Sequence, residues 1–225
     1  ETLEIPGRIE SVNEEMLSAL LEEETDLVVL MFRENNRLDE AILYTMEGLD
    51  KFLDGKDIKM VSISQKGIEK EYGLYGSPIL VYFKTNIPRL FKGDLGDEAE
   101  FMKFVEDSID ADDIEEVNGD VLDSLVNRLP NIAAVFYDSE DTAQMDIIKS
   151  LESIDDDCSN YGIPLVKIDD VVKGREEFGL DKLPALLYWK DEVPSLYEGD
   201  AASTQDVLDW IVSRKAGDTI ELVTE

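Results

Sequence analysis

Hydrophobic and polar positions alternate along this chain in two rhythms, one of helical spacing and one of short unbroken runs. Leu27-Val28-Val29-Leu30-Met31-Phe32 is apolar without interruption, which suits a central strand covered on both faces. Before it, Ile9 to Val12 is a brief strand. Met16, Leu17, Leu20 and Leu21 then recur at three- and four-residue spacing behind Asn13, the signature of an amphipathic helix with an asparagine cap. After the central run, Ala41, Ile42, Met46, Leu49, Phe52 and Leu53 predict one helix ending near Gly55. Lys59 to Ile63 is strand-like, and Lys66 to Tyr72 is a short helix stopped at Gly73. Ile79 to Phe83 is a further strand, and Asn86-Ile87-Pro88 turns the chain into Arg89-Leu90-Phe91-Lys92. A closing helix carries Phe101, Phe104, Val105 and Ile109. The order is β-α-β-α-β-β-α.

The same order then runs again. Glu71-Tyr72-Gly73-Leu74-Tyr75-Gly76-Ser77-Pro78 and its following apolar run reappear as Glu177-Phe178-Gly179-Leu180-Asp181-Lys182-Leu183-Pro184, an offset of 184 − 78 = 106 residues. A repeat of that length is a domain. Ile114 to Asn118 restarts the pattern, and Leu122, Leu125 and Val126 repeat the first helix face. Asn131 to Tyr137 repeats the central strand, and Met145, Ile148, Leu151 and Ile154 mark its helix. Pro164 to Ile168, Val172 to Phe178, Pro184 to Trp189 and Ser195 to Asp200 follow in turn, and Thr204 to Val212 closes the copy behind Ser203 or Thr204. Ile220 to Glu225 lines up with both earlier starts. The expected organisation is a lead-in over 1–8, a first domain over 9–110, a second over 111–216, and the start of a further repeat over 217–225. Each expected domain is long enough for its own core.

Composition changes this picture in two respects. The chain of 225 residues carries 53 acidic against 21 basic side chains, a net charge of −32. Such a field repels nucleic acid and anionic lipid and attracts cations or basic partners. A solvated surface, a diffuse low-affinity calcium capacity and a docking surface for basic partners all accommodate it. None of the acidic clusters has the glycine and terminal glutamate of a calcium loop. The chain also has no histidine and a single cysteine, Cys158, which removes histidine triads and any intramolecular disulfide. Cys158 reads as a small packed side chain or as a partner for a thiol elsewhere, and Asp155, Asp156 and Asp157 tend to raise its pKa. No stretch reaches the length of a membrane-spanning apolar helix, and no signal peptide opens the sequence.

The element order, the aromatic-Gly helix ends, the proline before an apolar strand and the Gly93-Asp94 and Gly199-Asp200 turns resemble the thioredoxin fold. In tandem and acidic form they resemble the protein disulfide isomerase family and its non-catalytic domains, and also calsequestrin. The resemblance implies an α/β fold of two tandem thioredoxin-like domains, each a mixed central sheet flanked by helices. It implies cis peptide bonds before Pro78 and Pro184. It also implies that the active members' Trp-Cys-x-x-Cys motif falls with its cysteines at Asn36 and Asp39 in the first repeat, and at Asp141 and Gln144 in the second.

None of those four residues is cysteine, and Asn35 and Glu140 stand where the tryptophan would be. Dithiol exchange needs a thiolate and a resolving thiol, so both sites are expected to be redox-inactive. The expected role is a scaffold or weak client-polypeptide platform within a longer disulfide-isomerase-like protein of the endoplasmic reticulum lumen. Calsequestrin-like calcium binding is one alternative. The other is a protein disulfide isomerase whose Cys-x-x-Cys sites lie in other repeats. No dedicated cofactor or metal site is expected.

Overall fold

The structure is a computed structural model and describes residues 9–216. The expected lead-in over 1–8 and the third start at Ile220 lie outside the described residues. The chain divides into two compact units between Ala111 and Asp112.

In unit 1 the elements run β1 (Glu10–Ser11), α1 (Glu14–Glu23), β2 (Asp26–Met31), α2 (Arg37–Glu47), α3 (Asp50–Asp54), β3 (Lys59–Ile63), α4 (Ile68–Glu71), β4 (Ile79–Lys84), β5 (Ile87–Leu90) and α5 (Glu98–Asp110). The sheet order is β1-β3-β2-β4-β5. β1 and β2 lie parallel to β3, while β4 is antiparallel to β2 and β5 to β4. This mixed sheet with helices on it is the thioredoxin-like arrangement.

β2 sits at the centre, so its side chains from Leu27 to Met31 are buried. Val28 and Leu30 join Leu80, Tyr82, Met46, Leu53, Phe101 and Val105 in one cluster. Alternation along the strand sends Leu27, Val29 and Met31 to the opposite face. There the Tyr72 ring meets Phe83 edge-on at 5.5 Å, and Phe83 is the register partner of Leu27.

The helix predicted from Ala41 to Gly55 is two helices. The N–H groups of Gly48 and Leu49 donate to Thr45 O (3.1 Å) and Met46 O (2.9 Å), bonds that span three residues rather than four. Apart from proline, glycine is the residue least able to hold a helix interior, and the tightened turn there keeps Met46, Leu49 and Leu53 buried together.

Unit 2 runs β6 (Glu115–Glu116), α6 (Gly119–Arg128), β7 (Asn131–Phe136), α7 (Thr142–Leu151), a 3-10 turn (Glu152–Ile154), α8 (Asp155–Asn160), β8 (Leu165–Ile168), α9 (Val171–Phe178), β9 (Ala185–Lys190), β10 (Val193–Leu196) and α10 (Thr204–Ala216). Its order, β10-β9-β7-β8-β6, is that of unit 1. The helix predicted through Met145 and Ile154 is again interrupted, by the 3-10 turn, and the last strand begins at Val193 rather than Ser195.

Both hairpins turn on two residues of positive φ, Thr85-Asn86 (49° and 72°) and Asp191-Glu192 (47° and 66°), the twist that joins antiparallel strands through a two-residue loop. Each unit also buries one tyrosine in its antiparallel strand. Tyr82 donates to Asp26 Oδ1 at 2.5 Å and Tyr188 to Asn131 Oδ1 at 2.6 Å. A buried phenol needs such a partner, and the two repeats supply it from the same place at the start of the central strand.

Candidate functional site

In an open α/β sheet, chemistry collects beyond the carboxyl ends of the parallel strands. In unit 1 that position is the segment from Arg33 to Asp39, between β2 and α2. Asn36 caps α2: its Oδ1 accepts from the N–H groups of Leu38 (3.0 Å) and Asp39 (3.4 Å). Asn35, just before it, has a φ of 61°.

Asp39 lies in the first turn of α2 and is fully buried. A carboxylate in that setting needs several donors, and it has them. Its Oδ2 accepts from the Arg33 backbone N–H at 2.9 Å, from Arg33 Nε at 3.1 Å and from Ser77 Oγ at 3.2 Å. Its Oδ1 accepts from Arg33 Nη2 at 3.3 Å. The same Nη2 donates to the carbonyl of Ser77 at 3.0 Å. The hydrogen bonds from Arg33 hold the Asp39 carboxyl below its ordinary value, against the upward push of burial. The same pairing raises the Arg33 guanidinium. The Ser77-Pro78 peptide bond is cis, and through Ser77 the Arg33-Asp39 pair is bonded to the loop that carries it.

Unit 2 builds the equivalent corner from different groups. Asp141 caps α7 through its Oδ1, which accepts from the N–H groups of Ala143 (2.9 Å) and Gln144 (3.4 Å). Its Oδ2 accepts from Gln144 Nε2 at 3.0 Å, and Gln144 Oε1 accepts from the Asp138 N–H at 3.0 Å. The bond from Gln144 first, then those from the two N–H groups, lower the Asp141 carboxyl. The Leu183-Pro184 bond is cis. Asp138 follows Tyr137 as Arg33 follows Phe32, and its N–H likewise reaches the side chain six residues on; Leu183 has no hydroxyl and Asp138 no side-chain N–H, so the latch that Arg33 and Ser77 make in unit 1 has no chemical counterpart.

Beside Pro184 lies a cavity of about 470 Å³. Its apolar wall includes Ile147 of α7, Leu183, Pro184, Leu196 and Ala201, and its charged lining is Asp181, Asp200 and Lys182. A second cavity of about 530 Å³ shares Leu196 and Tyr197 with it and extends to Trp210 and Arg214. There the Tyr197 and Trp210 rings meet tilted at 55°, with centroids 5.1 Å apart, and the Arg214 guanidinium lies 5.1 Å over Trp210.

Cys158 takes no part in either corner. It is a free, fully buried thiol of α8, packed with Leu151, Ile154 and Ile163. Burial first, and then Asp155 and Asp157, push it up to about 12. With one cysteine and no Cys-x-x-Cys sequence, these two units hold no dithiol for exchange. Among the described residues no group of three or more acidic or thiol side chains is placed to hold a metal ion. No described helix is long and apolar enough to cross a membrane.

Reading the sequence located Asn36, Asp39, Asp141 and Gln144 but missed the partners that make them a structure, Arg33 and Ser77 above all. It also missed Ala201, which stands 106 residues after Leu95 and is visible once the two repeats are written one above the other.

No protein-family model and no curated protein matches the chain. Among solved structures it is similar to the zinc-bound form of human ERp44, at 15% identity and a TM-score of 0.43 over 91% of this chain and 60% of that one. It is similar to full-length ERdj5 at 13% identity and a TM-score of 0.45, over 92% of this chain and 31% of that one. Chloroplastic thioredoxin z matches at 19% identity and a TM-score of 0.40, over 46% of this chain and 96% of its own. The chain thus spans 60% or less of the ERp44 and ERdj5 chains it matches here. At these values neither activity nor partner transfers, and the strand order above stands on its own.

Proposed function

We propose that the chain is a redox-inactive thioredoxin-like tandem that holds unfolded polypeptide weakly, as part of a longer disulfide-isomerase-like protein of the endoplasmic reticulum lumen. The observation that carries the reading is the cavity beside Pro184, largely apolar and edged by carboxylates. Apolar clefts with a few placed polar groups are where proteins take ligands. The resemblance of Tyr72-Gly73…Ser77-Pro78 and Phe178-Gly179…Leu183-Pro184 to the disulfide isomerase family supports the setting. Asn36, Asp39, Asp141 and Gln144 are, on this reading, the degenerate active-site positions.

The experiment is titration of the chain with reduced, carbamidomethylated ribonuclease A, a basic and permanently unfolded polypeptide, with native ribonuclease A as comparator. Saturable binding of the unfolded form only, weakening with salt, supports the reading. Equal binding of both forms, or of neither, contradicts it.

The net charge of −32 favours a second reading, diffuse calcium binding spread over many carboxylates. Equilibrium dialysis at millimolar calcium separates the two. Many ions per chain support calcium capacity, and one ion or none removes it.

A further inference from the structure

The outer face of α2 differs from that of its counterpart in unit 2. α2 turns Asp39 and Met46 inward, where both are buried, and Ile42 and Leu43 pack against the core of unit 1. Leu38, Ala41, Tyr44 and Gly48 recur at three- and four-residue spacing and are all exposed, so they share one face. Leu38 at 76% and Tyr44 at 79% are the most exposed large apolar side chains among the described residues.

The second repeat supplies the comparison. At the offset of 141 − 36 = 105 that relates the two helix caps, Met46 corresponds to Leu151, and both are buried. On the outer face Leu38 corresponds to Ala143, Ala41 to Asp146, Tyr44 to Lys149 and Gly48 to Ser153, and these too are all exposed. The inward sides of the two helices are thus alike, while one outer face is apolar and the other is small and charged. Folding does not ask for leucine and tyrosine where alanine and lysine serve the second copy. Exposed apolar side chains gathered on one face mark contact with another protein.

Charge states the chemistry of that partner. Glu40 and Glu47 lie seven residues apart on one flank of the face, about two turns of helix. Glu98 Oε1 lies 4.0 Å from where a Cβ on Gly48 would stand. Arg37 is the one basic side chain between positions 37 and 48. A second copy of the chain would set a net charge of −32 against itself. Because the backbone hydrogen bonds of α2 are closed within the helix, it offers no ladder to an extended strand. Its ridge of side chains does fit the groove of another helix.

We propose that the outer face of α2, from Leu38 to Gly48, docks an amphipathic helix of another protein, one with an aliphatic stripe bordered by lysine or arginine. The stripe covers Leu38, Ala41 and Tyr44, and the basic border meets Glu40, Glu47 and Glu98. The surface runs about 15 Å along the helix axis.

The test uses a fluorescein-labelled peptide of leucine and lysine alone, about 18 residues long so that it holds a helix, with its leucines at helical spacing. A second peptide of the same composition has leucine and lysine in strict alternation, the period of a strand. Anisotropy is expected to show saturable binding of the first peptide at one site per chain, weakening with salt, and about tenfold weaker binding of the second. Leu38→Ala/Tyr44→Lys gives α2 the residues that unit 2 carries at those places. It is expected to bind the helical peptide about tenfold more weakly than the parent chain, the scale of one lost interface anchor. Tyr161→Lys makes the same charge change at another exposed tyrosine and is expected to leave binding unchanged.

Equal binding of the two peptides, an equal loss in Tyr161→Lys, or unchanged affinity in the folded α2 variant would overturn the assignment. So would a dimer in sedimentation velocity that the α2 variant abolishes, since the occupant would then be a second copy. A peptide held instead at the cavity beside Pro184 leaves the α2 variant's affinity unchanged, which sinks this inference and leaves the holding of unfolded polypeptide standing.

Discussion

Arg33 and Asp39 form a bridge of 3.1 Å in which the carboxylate is sealed inside unit 1 while the guanidinium is largely exposed. The bridge joins the end of β2 to the first turn of α2, and Nη2 extends it to the carbonyl of Ser77. It occupies the corner where the resemblance places a dithiol, and the variants below ask what it contributes.

Asp39→Ala is expected to lower the stability of unit 1 by about 2 kcal/mol in urea unfolding, because the Arg33 backbone N–H and the Ser77 hydroxyl lose a shared acceptor in a buried position. Lys56→Ala is the contrast. Lys56 pairs with Glu106 at 3.2 Å, but both side chains are well exposed, and its removal is expected to cost less than about 1 kcal/mol.

Acid should reach the same bridge. The folded Asp39 carboxyl lies below its ordinary value, so its stabilising contribution is fully present above the unfolded value of about 3.9 and is lost as pH falls through the folded one. Urea midpoints measured from about pH 6 down to about pH 2 are expected to fall less steeply at the acid end in Asp39→Asn than in the parent chain. Parallel acid limbs would assign the loss to other carboxylates.

Asn36 holds its place as a cap. Asn36→Ala is expected to cost about 1 kcal/mol and Asn36→Asp close to nothing, since an aspartate accepts the same N–H groups at a helix start. Chemical denaturation of the two variants side by side checks it.

The Cys158 thiol should be silent in the folded chain. Raised to about 12 by burial and by Asp155 and Asp157, it presents far less thiolate near pH 8 than an exposed cysteine. Its reaction with Ellman's reagent is expected to be slower on the order of a thousandfold, and to become fast in urea. The linkage runs the other way from that of Asp39. Because the folded value is raised, the stabilising contribution is present below the unfolded thiol value and is lost as pH rises toward about 12.

Much of the fold was legible because the two rhythms of apolar spacing are strong. The unbroken run from Leu27 to Phe32 suits a strand buried on both faces, and β2 covers it as far as Met31, while the repeat of Pro78 at Pro184 pointed to two domains. The breaks at Gly48 and before Asp155 were not legible, because the apolar positions keep helical spacing across both and only the local hydrogen bonding changes. The site was half legible. Counting from the central strand reached Asn36 and Asp39, but spacing alone does not reveal that an arginine six residues before Asp39 would turn back onto it, or that Ser77 would close the loop from 38 residues away. Those contacts exist only once β2, α2 and the turn before β4 have been brought together.

The central claim is that the first turn of α7, like that of α2, is a thioredoxin-type corner whose thiols have given way to hydrogen-bonding groups. Restoring them tests it most directly. Asp141→Cys/Gln144→Cys places two thiols at the cap and in the first turn of α7. The variant is expected to form an internal disulfide and to accelerate the reduction of insulin by dithiothreitol, which the parent chain leaves unchanged. A folded double variant that forms no internal disulfide, or a parent chain that itself accelerates the reduction, would contradict the account.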